Sequence, residues 1–266
     1  MGRIIAFASG KGGVGKTSVT ANIGIALARR GKSVCLVDGD VAMANLSLLL
    51  GMQSSPITLH DVLLGEATIH DAIYDGPVGI KFVPSGLSLE NYRRVDPERL
   101  ESVVALLKDE FDYILIDTPP GIERSVLACL SAAEEVFLLT TPTSPSIADV
   151  LKTKIVTERL GSKPIGVIVN FVFGDKGEVS ADDIMKMLEL PCYGSIPYDD
   201  EMRKSFMQEK VAPVMLRVPN SPSAKAIERI AAKIAGLPTE AEQAAKPRTG
   251  IASIFKSLFA IFSKKK

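Results

Sequence analysis

The chain has 266 residues, 46% of them hydrophobic and 23% charged, the balance of a globular protein with a substantial core. Lys and Arg number 31 and Asp and Glu number 31, which excludes a general attraction to nucleic acid or to an anionic surface and confines any such contact to a local patch. Cys35, Cys129 and Cys192 are far apart and form no C-x-x-C pair, so a zinc or cluster site is not indicated and three buried free thiols in a reducing compartment are expected.

Residues 3–9 are a short apolar run closing on glycines, the pattern of a buried strand. A secretory leader is not expected, because this run begins at once, and no apolar stretch reaches the roughly 18 residues of a membrane span. Residues 16–30 read as a helix, 33–37 as a second buried strand, and 58–65 as a short helix ending on glycine. Residues 80–84 read as a strand, 96–110 as a helix with Pro97 in its first turn, and 113–116 as a strand ending at Asp117. Further strands are expected at 136–140, 165–169 and 192–196, and further helices at 147–160, 181–188, 201–209 and 223–235. Such alternation, with continuous rather than alternating apolar strands, predicts an α/β fold: a doubly wound, mostly parallel sheet covered on both faces. No internal repeat is visible. Residues 236–250 shift to Pro, Glu, Gln, Ala, Lys and Thr and read as a flexible linker. The chain thus divides into a domain at 1–235, a linker at 236–250 and a terminal helix at 251–266.

Gly10-Lys11-Gly12-Gly13-Val14-Gly15-Lys16-Thr17 matches G-x-x-x-x-G-K-[ST] without a gap, between a predicted strand and a predicted helix. Glycines let the backbone curl so that successive N–H groups point at phosphate oxygens. The following helix, which opens with Lys16, Thr17 and Ser18, adds its positive N-terminal end. In this pattern Lys16 reaches the β- and γ-phosphates of ATP and the Thr17 hydroxyl ligates Mg²⁺. Asp38 and Asp40 follow one strand and Asp117 ends another, at the edge of a parallel sheet where ligands bind. Either strand end can serve the water shell of the metal. No histidine base is needed for phosphoryl transfer, and His60 and His70 read as ordinary surface or capping residues.

The loop carries an extra lysine, Lys11, directly after its first glycine. GKGGVGKT resembles the deviant Walker A loop of the MinD/ParA group of ATPases, and within it the MinD branch. The resemblance runs from Gly2 to about Ala235 and returns at the C-terminal end. It extends through Val37-Asp38-Gly39-Asp40, Met43-Ala44-Asn45-Leu46, Asp117-Thr118-Pro119-Pro120-Gly121-Ile122-Glu123, Ile196-Pro197-Tyr198-Asp199-Asp200 and Pro219-Asn220-Ser221-Pro222. It implies a SIMIBI-type P-loop fold and an ATP-dependent homodimer. Lys11 would cross the dimer interface to the partner's nucleotide, acting as a finger in trans. Asp40 would orient the attacking water, Asp38 and Asp117 would serve magnesium, and Gly121 would sense the γ-phosphate. Asn170 would read the adenine amino edge, with Pro197 and Asp199 lining the base. The family usually places arginine after that asparagine; here Phe171 stands there and can stack or pack but cannot donate hydrogen bonds. Thr118-Pro119-Pro120 is also stiffer than the Ser-Pro-Ala often found in the family.

Taken as a helix, residues 251–266 gather Ile251, Ile254, Phe255, Leu258, Phe259, Ile261 and Phe262 on one arc of about 160°. Lysines and serines fall opposite and a lysine run closes the chain. Such a helix can lie in the headgroup plane of an anionic membrane, although a last helix docked on the domain's own core is the alternative. A dimer would present two tails and bind far better than one. The expected cycle is that ATP forms the dimer, the dimer holds the inner face of the cell membrane, and hydrolysis, stimulated by a protein activator or effector, releases it to the cytoplasm. Placement of the division site is the leading role, and a flagellar or organelle-positioning ATPase of the same subfamily shares the same features. A ParA-type partition ATPase is less favoured, because no nucleic-acid surface is expected from the neutral charge. Cluster-assembly proteins would need paired cysteines, and a small-molecule kinase or ligase would need an acceptor motif that is not found.

Overall fold

The structure, a computed structural model, describes residues 1–40, 45–52, 55–86, 96–207 and 211–238. The residues at 41–44 and the whole of 239–266 lie outside these, including Met43, Ala44 and the apolar tail face.

In β1 (Arg3–Ala8) a partly exposed arginine is followed by five buried residues. A strand with no solvent face needs cover on both sides. Ile4, Ala6 and Ala8 accordingly join one hydrophobic cluster, and Ile5 and Phe7 the other. The remaining strands are β2 (Val34–Asp38), β3 (Tyr74–Asp75), β4 (Lys81–Val83), β5 (Tyr113–Asp117), β6 (Glu135–Thr140), β7 (Lys163–Val172) and β8 (Cys192–Pro197). They form a sheet in the order β3-β4-β2-β5-β1-β6-β7-β8. Among the described residues only the β3–β4 pair is antiparallel. The doubly wound, mostly parallel α/β sheet is as expected, with β3 as an added antiparallel edge.

One face is covered by α1 (Lys16–Arg29), α2 (Leu46–Leu49), α9 (Val214–Arg217) and α10 (Pro222–Ile234). The other is covered by α3 (Leu59–Leu64), α4 (Leu100–Ala105), α5 (Arg124–Ala132), α6 (Ser144–Arg159) and α7 (Ala181–Leu188). A short helix, α8 (Asp200–Lys204), follows β8.

The start and stop of α3 are both chemical. The Thr58 N–H and hydroxyl donate to Asp61 Oδ2 at 2.7 and 2.8 Å, and Gly65 ends the helix at φ 81°. Other boundaries moved. The helix expected over 96–110 is a 3₁₀ turn at Pro97–Arg99, then α4. Beyond Ala105 the chain tightens into i→i+3 turns, such as Lys108 N–H to the Ala105 carbonyl at 3.2 Å, and the Lys108 carbonyl takes the Gly2 N–H. The helix expected over 201–209 ends at Lys204. α5 was not foreseen, because Glu123 at its N-cap makes no side-chain cap and gives no start signal.

His60, expected as a surface or capping residue, is instead fully buried. It sits in α3 against Gly86, where a Cβ would come within 2.0 Å of its Nδ1. His70 is exposed and meets Glu110 at 2.7 Å. Cys35 and Cys129 are buried free thiols, and burial pushes the Cys35 thiol up to about 12. Cys192, on the edge strand, is only partly buried.

Phe137 lies fully buried in the middle of the second cluster, its ring 5.6 Å from Phe7 and edge-on to Tyr193 at 4.6 Å. Phe137→Ala should therefore cost about 3–5 kcal/mol of stability in urea denaturation.

Candidate nucleotide site

The turn from β1 into α1 is built by positive-φ glycines. Gly13 and Gly15 sit at φ 79° and 90°, where a side chain would be strained. At Gly15 a Cβ would also come within 2.4 Å of Asn170 Nδ2. That amide donates to the Val14 carbonyl at 2.8 Å and pins the loop to the end of β7. Gly10 packs on Asp149, Gly12 faces Pro120, and Val14 is buried. Lys11 is exposed. Lys16, only 7% exposed, donates from Nζ to Ser9 Oγ at 3.0 Å. Burial draws its ammonium below the usual lysine range, against the pull of Asp117 and Asp40.

Parallel pairing of β2 with β5 sets Asp38 directly beside Asp117. Both are buried. Asp38 accepts from the Asp40 N–H at 3.1 Å and the Leu46 N–H at 3.3 Å. Burial raises its carboxyl well above the usual range, and Asp117 adds to the shift. Burial also pushes Asp117 up to about 7, although Thr17 and Lys16 pull it down. Asp117 Oδ1 has no hydrogen-bond partner. Two neighbouring buried carboxylates, an orphaned oxygen and a hydroxyl beside them fit a hydrated divalent cation such as Mg²⁺, which is held by few carboxylates and keeps its waters. Asp40 is the half-buried residue that leads from this pair into the cleft.

The cleft above the loop has a volume of about 510 Å³. It gathers Gly12, Gly13, Gly15, Lys16, Thr17, Ser18 and Asp40 with Thr118, Pro119 and Pro120. Gly121 follows at φ 91° with open space around it. Asn45, Glu123, Ser125 and Phe206, for which no role was expected, also line the cleft. Asn45 and Glu123 lie in segments that carry the family resemblance, whereas Phe206 gives no sequence signal.

The expected base residues sit at the ends of β7 and β8. Asn170 is buried and its Oδ1 has no partner, so one acceptor is left over after the amide is used. Phe171 holds φ 57°, uncommon for a bulky residue, and its ring approaches the place of a Gly15 side chain. Phe173 stacks on Tyr198 at 4.5 Å. Pro197 ends β8 and pairs with Val172. Asp199 is a cap: its Oδ1 accepts from the Glu201 N–H, and its Oδ2 accepts from the Ser223 N–H and hydroxyl. Burial would raise its carboxyl, but these donors hold it below the usual range.

A phosphate loop between a parallel strand and its helix, beside two acidic strand ends, defines a P-loop nucleotide-binding protein. The chain belongs to the CobQ/CobB/MinD/ParA nucleotide-binding family, whose model matches residues 5–212. It is 43% identical over 255 residues, 96% of each chain, to an uncharacterized ATP-binding protein of Methanocaldococcus jannaschii. It is similar to the cell division ATPase MinD of Pyrococcus furiosus, at a TM-score of 0.85 and 38% identity, covering 90% of this chain and 100% of that one. It is also similar to the septum site-determining protein MinD of Pyrococcus horikoshii, solved in complex with Mg-ADP. Here the TM-score is 0.84 and identity 35%, covering 88% of this chain and 96% of that one.

The raised Asp117 value means that the folded chain keeps a proton which the unfolded chain, with its carboxyl near 4, has released. Stability of the nucleotide-free protein should therefore fall as pH rises from about 4 to about 7. Asp117→Asn removes the buried charge. Its stability advantage over the parent should grow by roughly 1–3 kcal/mol between pH 5 and pH 8 in denaturant titrations without magnesium.

Proposed function

We propose that the protein is an ATP-hydrolysing dimerisation switch of the MinD type, which works at a membrane surface and takes part in placing the division site. The observation that carries the reading is the aligned, buried Asp38–Asp117 pair beside Lys16 and Thr17, two carboxyl groups of raised proton affinity with an unused oxygen, next to a phosphate loop. Similarity to MinD proteins, one of them solved with Mg-ADP, supports the same reading.

In this reading the loop amides from Gly10 to Ser18 wrap the phosphates and Lys16 holds the β- and γ-groups. Thr17, Asp38 and Asp117 hold Mg²⁺ and its waters; the ion supplies neutralising charge to the phosphates. Asp40 orients the water that attacks the γ-phosphorus, giving ADP and phosphate. Lys11, which is exposed, reaches the nucleotide of a second subunit, and Gly121 responds to the γ-phosphate. The free Oδ1 of Asn170 accepts from the adenine amino group. Pro197 borders the base, and Asp199 fixes the turn beside it. Residues 236–250 tether a membrane helix whose apolar face is Ile251, Ile254, Phe255, Leu258, Phe259 and Phe262. Among the described residues no helix is long and apolar enough to cross a membrane, and the proposed attachment is peripheral, on the cytoplasmic side. A protein activator sets the time of hydrolysis.

Lys16→Ala should abolish ATP binding in isothermal titration. Sedimentation with phosphatidylglycerol vesicles tests the cycle: more protein should pellet with ATP than with ADP or no nucleotide. Phe255→Glu should lower vesicle recovery at least tenfold while leaving basal ATPase unchanged. Equal pelleting in all three nucleotide states would refute the membrane switch.

A further inference from the structure

A second concavity lies away from the phosphate loop. The loop feeds the N-terminus of α1, whose 14 residues span about 20 Å. At its other end Arg29 and Arg30 face a cleft of about 380 Å³. Lys225 and Arg229 of α10 line the same space, with Asn220 at its edge. The acid in its wall, Glu228, is engaged with Arg30 at 2.9 Å. Among the described residues Arg29, Lys225 and Arg229 form no ion pair. Lys225 and Arg229 are four residues apart on one helix, where like charges repel. Three uncompensated cations converging on a pocket of ligand size point to an anion, and guanidinium forks suit phosphate oxygens.

We propose that this cleft is a second anion site, separate from the nucleotide site, that takes one phosphate-bearing group from a soluble ester or a lipid headgroup. A nucleic-acid backbone is the less favoured occupant. It calls for an extended basic stripe, whereas these cations line a compact hollow on a chain whose charges balance.

The test uses the full chain with its loop saturated by Mg-ADP, compared with the Lys225→Glu/Arg229→Glu double variant; both positions are exposed. Glycerol 3-phosphate is titrated calorimetrically, phosphatidylglycerol vesicles are sedimented, and duplex DNA is titrated in parallel. Charge reversal should weaken binding of the soluble ester, the vesicles or both at least tenfold, with ADP affinity unchanged. Loss confined to the ester assigns a soluble phosphate, and loss confined to vesicles assigns the headgroup. Failure of the parent to bind either probe, equal binding by the variant, or an effect confined to DNA would overturn the proposal. Because ADP affinity is read separately, failure here is distinguishable from failure of the nucleotide assignment.

Discussion

Two carboxylates forced side by side without enough positive charge are the constraint on which the site depends. Asp38 and Asp117 are in register on adjacent parallel strands, so neither can withdraw without breaking the sheet. Both have left water, and the nearby cation is Lys16, itself strained by burial. Like charges this close in a low-dielectric interior raise each other's proton affinity. Burying the pair carries an electrostatic cost of the kind that a hydrated cation held by them would relieve. Under the proposed reading, cation binding and stability would be linked through this one pair of side chains.

The sheet explains why the strain falls in one place. In a parallel sheet the strands all deliver their last residues to one edge, and here β1 is flanked by β5 and β6, with β2 beyond β5. The turn after β1 becomes the phosphate loop, while the ends of β2 and β5 carry the acids. The end of β7 contributes Asn170, which braces the loop from beneath through the Val14 carbonyl. Four strand ends thus act on one volume although they lie up to about 160 residues apart in sequence.

Much of this was legible in the chain itself. Continuous apolar runs marked the central strands because each is buried on both faces, and the glycine loop marked its own position. The boundaries of α3 were readable because Thr58, Asp61 and Gly65 are chemical start and stop signals. α5 was not legible, since its N-cap makes no side-chain hydrogen bond. His60 was misplaced because Gly86 packs against its ring, a contact between residues distant along the chain. Phe206 was missed in the cleft for the same reason. A phenylalanine in a polar stretch carries no sign of which surface it will line.

The cap at Asp199 has a wider reach than its size suggests. One carboxylate closes the start of α8 and also grips the start of α10 through Ser223. At its far end α10 is held again, by the Arg3 guanidinium on the Ile234 carbonyl at 2.8 Å. The last described helix is therefore clamped at both ends, once to the rim of the sheet and once to its first strand. The tether proposed at 236–250 therefore starts from a helix held to the sheet at both ends.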